Sequence, residues 1–352
     1  MNVMKITGSA KDSSIGKLYQ RYGVLLILIV EVLIFSLASP NFFKLTNIVT
    51  IGRHLSFTGI ATVGCAFLMI TGGIDLSTGS MMAFSGILCT KLMTEFGVSA
   101  TLAILFTVLL GGLIGCISGF SFTRLKIPAL IATLSMQYIL KGMAFLITNA
   151  SPVYGLQKSF EFLGQGFLFD VFPVSMLVMI IAFVFGSWML NSTYIGRQMY
   201  AVGENREAAT LSGINTKRIS MIAFAASGFF AAIAGILMAA RLGSGIPSVG
   251  ADVPMDVITP IVLGGVSIKG GSGKISNVFI GVIITGVLSR GMIMLGLSDY
   301  VQWVVKGIAL WFAVAIGNVG TIKKRGGKRE AFPSLVRKTD PPDDSDKRKS
   351  GL

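Results

Sequence analysis

The sequence predicts an all-α polytopic membrane protein of about ten transmembrane helices, interrupted by Gly-rich breaks. Three observations carry this. Hydrophobic residues make up 53% of the 352 positions and charged residues only 13%, about half the ~25% of ordinary soluble domains. That leaves too little water-compatible surface to cover a globule of this size. The charges are also spaced to leave apolar runs near the roughly 20 residues a helix needs to cross a hydrocarbon core of about 30 Å. Finally, many of the 43 glycines fall inside those runs, as suits helices that associate by close backbone approach rather than by hydrophobic burial. The same figures argue against a soluble enzyme, a nucleic-acid-binding protein and a disordered chain.

In chain order the spans are placed at 23–39, 54–71, 78–95, 99–121, 128–149, 172–191, 219–240, 255–268, 277–297 and 302–320. The first follows Lys17 and Arg21 and superficially has the shape of a cleaved leader ending at Leu37-Ala38-Ser39. Glu31 interrupts it, however, and its removal would leave an odd number of spans, so it is read as retained. The second, third and fourth spans hold Cys65, Cys89 and Cys116, whose spacing matches no zinc pattern and which serve as small apolar fillers. Gly111, Gly115 and Gly119 recur every four residues in the fourth span, and Gly228 with Ala232 and Ala231 with Gly235 form similar faces in the seventh. These are expected to seat helices of the same chain. The eighth span is short and Gly-rich.

An even span count puts both termini on one side, and both are basic. If they are cytoplasmic, the opposite side receives only Lys44, Arg53, Lys91, Lys158, Arg241 and Arg290. All other Lys and Arg residues fall on the cytoplasmic side, except Lys141 and Lys306, which lie within spans. This is the positive-inside distribution, and it accounts for the net charge of +14 by loop retention and attraction to anionic headgroups of the bilayer. A nucleic-acid surface would interleave aromatics with the basic patch. The organisation is thus a cytoplasmic tail at 1–22, a membrane domain at 23–320 and a basic, solvated tail at 321–352, the last with one Phe and a Pro-Pro-Asp-Asp run.

One Gly-rich pattern recurs. Gly72-Gly73-Ile74-Asp75-Leu76-Ser77-Thr78-Gly79-Ser80 reappears as Gly264-Gly265-Val266-Ser267-Ile268-Lys269-Gly270-Gly271-Ser272. Broken helices of this kind free backbone groups that must face a cavity or other protein, since lipid cannot satisfy them. The topology puts both copies on one side, unlike a simple inverted repeat, and coincidence among Gly and Ser stays open as the alternative. Gly271-Ser272-Gly273-Lys274 is not a phosphate loop, because Ile268 stands where its first Gly is required and Ile275 where the Ser or Thr should follow the Lys.

Ionisable residues placed in or near the membrane are Glu31, Asp75, Lys141 and Lys306, with Arg53 and Arg290 near edges; each is a functional candidate because its burial is costly. Glu31 and Lys141 have the option of pairing with each other. The sparse set disfavours, without excluding, an ion-coupled carrier, and no catalytic or metal-binding cluster or cofactor motif is found, so the chain is not read as an enzyme. An external energy source gives interest to the longest internal cytoplasmic segment, 196–218. There Asn205 is suited to cap a helix, Glu207 to its first turn and Gly213 to its end. A partner-docking helix and a plain connecting loop are the two readings.

Together these constellations resemble the ribose-type sugar permeases of bacterial ABC importers. Thr71-Gly72-Gly73-Ile74-Asp75-Leu76-Ser77 is similar to that family's Gly-Gly-Ile-Asp-Leu-Ser signature. Ala201-Val202-Gly203, Glu207-Ala208-Ala209 and Ser212-Gly213-Ile214-Asn215 resemble its coupling segment, and Leu263 to Gly273 its third motif. Order and spacing agree over about 20–320. The resemblance implies a ten-helix permease of the type II importer kind in the bacterial inner membrane, with both termini cytoplasmic. It implies a second permease chain, identical or a sister, a separate ATPase with two fused nucleotide-binding domains, and an extracytoplasmic sugar-binding protein that delivers a monosaccharide. It also implies that Glu204, Asn205, Arg206, Glu207, Ala208 and Ala209 form the coupling helix, followed by Ser212 and Gly213. Arg206 and Thr78 depart from the family pattern. Gly72, Gly73, Asp75, Ser77, Gly79, Gly264, Gly265, Gly270 and Gly271 are expected at helix breaks beside the path, with Asp75 capping backbone amides. The rival expectation is a carrier or channel acting alone.

Overall fold

The computed structural model describes residues 14–250 and 252–325. Among the described residues thirteen helices run in order: α1 (Ser14–Ala38), α2 (Leu45–Ile70), α3 (Thr78–Thr94), α4 (Ala100–Thr123), α5 (Ala129–Thr148), α6 (Lys158–Gln165), α7 (Val174–Ser192), α8 (Tyr194–Glu204), α9 (Arg206–Leu211), α10 (Thr216–Leu242), α11 (Val253–Leu263), α12 (Ile275–Met294) and α13 (Asp299–Arg325). A two-residue hairpin, β1 (Phe167–Leu168) with β2 (Phe172–Pro173), precedes α7. One unit extends to Val314 and holds every feature described below; the other begins at Ala315, and its described residues, 315–325, are helical.

A helix occupies each of the ten expected spans. Six of them, α2, α4, α5, α7, α10 and α12, are long and apolar enough to cross a membrane, so the chain is a polytopic helical membrane protein. Helix α1 begins at Ser14, ahead of the expected span. In the expected tail, 321–325 are helical, whereas 326–352 and 1–13 lie outside the described residues.

Helices α2 and α10 form the centre, α10 against α2, α3 and α4. The small-residue faces have the intrachain role their spacing predicts. A Cβ at Gly115 would strike the Phe224 carbonyl, one at Gly111 would meet Ala232, and one at Gly228 would meet Gly111 and Gly115, so α4 and α10 touch backbone to backbone. Phe67, Phe224, Ile60 and Met69 fill the core around this contact.

Two connectors carry structure of their own. The stretch between α5 and α7 holds α6, whose Phe160 is fully buried and whose Gly164 lies against the backbone of Ala240 and Arg241. The stretch after α10 does not remain at one end of the bundle. Gly245 pairs with Val153 and packs on Ile87 and Thr90, whereas Gly250 touches the backbone of Gly79. It therefore descends along α3 by about 12–17 Å, at 1.5 Å per helical residue. Helix α11 starts only there, and its 11 residues cover roughly half of a ~30 Å core.

Candidate functional site

The first break follows α2. Gly72 takes φ +85°, a conformation open to glycine at no steric cost, and the chain folds back so that Gly73 packs on Leu68. Asp75 is thereby carried inward and buried, 4% exposed. Its Oδ1 accepts from the Ser77 amide at 2.8 Å and the Ser77 hydroxyl at 2.6 Å, and its Oδ2 accepts from Ser227 Oγ of α10 at 2.6 Å. The carboxylate thus binds one backbone amide and two hydroxyls, and it ties the break to the central helix. The Thr133 hydroxyl of α5 lies 3.1 Å from the Ile74 carbonyl and shares its one proton between that oxygen and the Ala129 carbonyl of its own helix at 3.0 Å. Gly79, just inside α3, and Gly250 approach too closely for either to carry a Cβ.

The second break, after α11, meets the first. The Gly271 amide donates to the Ile70 carbonyl at 2.8 Å, and Gly270 lies against Gly72. Gly264 packs on the backbone of Val278 in α12, whereas Gly265 takes φ +79° with open space around it. The two Gly-rich copies are therefore neighbours at one end of the bundle.

The segment 196–218, expected to couple to an ATPase, joins them there. It is not a loop carrying one helix but two short helices, α8 and α9, leading into α10. Glu204, expected in one helix with residues 205–209, is instead the last residue of α8, because Asn205 is extended (φ −154°, ψ 107°) and separates α8 from α9. Its Oδ1 accepts from the amides of Glu207 and Ala208, both at 3.0 Å, which starts α9 despite the unexpected Arg206. Gly213 (φ +82°) ends the helix by donating to Thr210 while Ile214 donates to Ala209. Arg206 donates to Ser220 Oγ at 2.8 Å and stacks on Phe122 at 4.8 Å; this burial lowers its pKa from the ordinary arginine value. Glu207, Ala208 and Ser212 are exposed, and Leu211 is 90% exposed. An open concavity of about 700 Å³ lies beside them, lined by Phe122, Lys126, Arg206, Glu207 and Lys217 among others.

What links α8 to both breaks is Gly203. A Cβ there would overlap the Ile70 carbonyl and the Gly271 amide, and Gly271 in turn abuts Glu204. Tyr200 of α8 donates its hydroxyl to the Gly273 carbonyl at 2.9 Å. Three motifs far apart in sequence thus share one backbone-to-backbone junction.

Two cavities lie along one side of the bundle. One, about 450 Å³, is lined by Leu76, Gln137, Asp256, Thr259, Trp303 and Lys306 among others. The second, about 210 Å³, takes in Ser80, Gln137, Lys141 and Pro247 to Gly250. Asp256 and Lys306 form an ion pair at 2.8 Å. Asp256 and Gln137 were missed by the sequence reading, although a carboxylate inside the 255–268 span is a visible signal. Glu31 does not pair with Lys141: its carboxylate is buried without a partner among the described residues, while Lys141 faces the smaller cavity.

A family model described as branched-chain amino acid transport system / permease component matches residues 47–314. The ribose import permease protein RbsC of Escherichia coli (strain K12) is 37% identical over 298 residues, 84% of this chain and 92% of the relative. The ribose import permease protein RbsC of Bacillus subtilis (strain 168) is 36% identical over 299 residues, with the same coverage of both chains. The L-arabinose transport system permease protein AraH of Escherichia coli (strain K12) is 36% identical over 309 residues, 88% of this chain and 94% of the relative. No solved structure matches. Matched across the breaks, the α8–α9 segment and most of the bundle, the chain belongs to the transport-system permease family and is a membrane transport subunit rather than an enzyme.

Proposed function

We propose that this chain is the membrane-spanning permease subunit of an ATP-driven importer that passes a small sugar, ribose-like or related, into the cytoplasm. Relatives named for ribose and L-arabinose transport support the solute class. The observation that carries the mechanism is the junction at Gly203, where the capped helix α9 is reached through α8 from both Gly-rich breaks. An ATPase that pulls on α9 acts on the two breaks through α8, whose backbone at Gly203 and Glu204 lies directly against Ile70 and Gly271. The breaks in turn carry Leu76 at the larger cavity and the start of α3 at the smaller one. Exposing the cavities alternately to the two sides is all that transport then requires.

In this reading the breaks and α9 face the cytoplasm, the bundle crosses the bacterial inner membrane ten times, and both termini are cytoplasmic. The partners are an ABC ATPase docked on Glu207, Ala208, Leu211 and Ser212, an extracytoplasmic sugar-binding protein, and a second permease chain, a copy or a sister, that closes the path. The Glu207→Arg/Ala208→Arg variant tests the docking: it is expected to insert normally and to lose its ATPase in pull-down, and undiminished association places docking elsewhere. Reconstituted with ATPase, binding protein and ATP, the chain is expected to import D-ribose or L-arabinose. Uphill accumulation by the chain alone, without those partners, refutes the reading.

A further inference from the structure

We propose that the larger cavity is a binding subsite for a neutral polyhydroxylated molecule, with Asp256, Lys306 and Gln137 as its hydroxyl-binding groups and Trp303 as its aromatic wall. The inference deepens the permease reading and rests on it for the solute class. Asp256 lies in the first turn of α11 and Lys306 two turns into α13. Their side chains remain 28% and 22% exposed, so the pair is open to the cavity rather than sealed in the core. An ammonium has three donors and a carboxylate about four acceptor positions. The bond of 2.8 Å between Lys306 Nζ and Asp256 Oδ1 uses one of each, and the remaining capacity faces the cavity. Adjacent sugar hydroxyls, each both donor and acceptor, match such a charge pair. The Gln137 amide and Thr259 line the same space, and the indole of Trp303, held edge to face with Tyr300 at 5.5 Å, offers an apolar face to ring C–H groups.

Size and charge narrow the class. About 450 Å³ lies in the range of small-molecule sites, roughly 300–1,000 Å³. The ion pair is neutral overall, and Asp252 adds a negative charge to the lining, which disfavours phosphorylated or carboxylated solutes.

The test uses the full chain with Trp188→Phe and Trp311→Phe, leaving Trp303 as sole tryptophan. Its emission is followed in detergent against D-ribose, L-arabinose and ribose 5-phosphate. A saturable change with at least one neutral sugar, and none with the phosphate ester, is expected. Asp256→Asn should weaken the midpoint about tenfold, a change typical of losing one charge-assisted hydrogen bond. Gln137→Leu, which leaves the ion pair intact, reads the same effect should Asp256→Asn fail to fold. Silence of Trp303 toward both sugars, or unchanged midpoints in the variants, overturns the subsite. If the assembled transporter still imports either sugar while Trp303 is silent, the subsite alone falls; if it imports neither, the permease reading falls with it.

Discussion

Adding one methyl group at Gly203 tests the proposed coupling role of its junction directly. The new Cβ of Gly203→Ala would overlap the Ile70 carbonyl oxygen and the Gly271 amide nitrogen. Both are backbone atoms, so no side chain can rotate away and α8 must shift against the breaks. Overpacking of this kind costs about 1–3 kcal/mol, and loosening the Gly271–Ile70 hydrogen bond of 2.8 Å adds about 1 kcal/mol. A loss of about 2–4 kcal/mol is a large share of the 5–15 kcal/mol that typically holds a protein folded. Thermal unfolding in detergent, read by a thiol-reactive dye on the fully buried Cys65 and Cys89, is expected to show a clearly lowered midpoint and, in the assembled transporter, slowed uptake. Gly142→Ala is the control: nothing lies within 4 Å of its added Cβ, and Ala gains up to about 1 kcal/mol over Gly in a helix interior. Equal midpoints and equal uptake in the two variants refute the claim that Gly203 joins α8 to the breaks.

Other expectations follow from the same geometry. Asp75→Ala strands the hydroxyls of Ser77 and Ser227 and is expected to lose about 1–3 kcal/mol for each left unpaired, whereas Asp75→Asn, able to accept from Ser77 and donate to Ser227, stays within about 1 kcal/mol in the same unfolding assay. Abolished transport in a fully stable Asp75→Asn would show that the charge itself is needed. Asn205→Ala removes both amide bonds at the start of α9 and is expected to cost about 1 kcal/mol, read as weaker ATPase pull-down. Burial raises the Tyr200 pKa above its ordinary value of 10, so its bond to Gly273 is fully present below pH 10 and is lost only as pH rises through the raised value; absorbance titration against Tyr200→Phe checks the sign.

Local signals were legible where the physics is local. Asn205 and Gly213 bound α9 because capping needs only neighbouring amides and a left-handed residue, and the spacing of Gly111, Gly115 and Gly119 reports a helix face whatever packs on it. The Gly–Gly repeats announced breaks for the same reason. What the sequence hid depends on partners distant along the chain. Helix α6 is too short for its period to stand out and is held by the end of α10. Nothing local reveals that Asn205 is extended and so divides Glu204 from the helix that follows. The pairing of Asp256 with Lys306 spans 50 positions, and Gln137 becomes notable only once the descending chain at Pro247 to Gly250 lies beside it.

That descending chain has a consequence for biogenesis. Between Gly243 and Gly250 it forms no helix, so its peptide groups lack the continuous helical bonding that would carry them into lipid, Gly245 being bonded instead to Val153, and α11 alone is too short to partition as an independent crossing. It cannot be handed to the bilayer as it leaves the insertion machinery. Its place exists only after α3 and α10 have met and made a protein-lined slot, which makes this stretch a late arrival, lodged after its neighbours are already in the membrane.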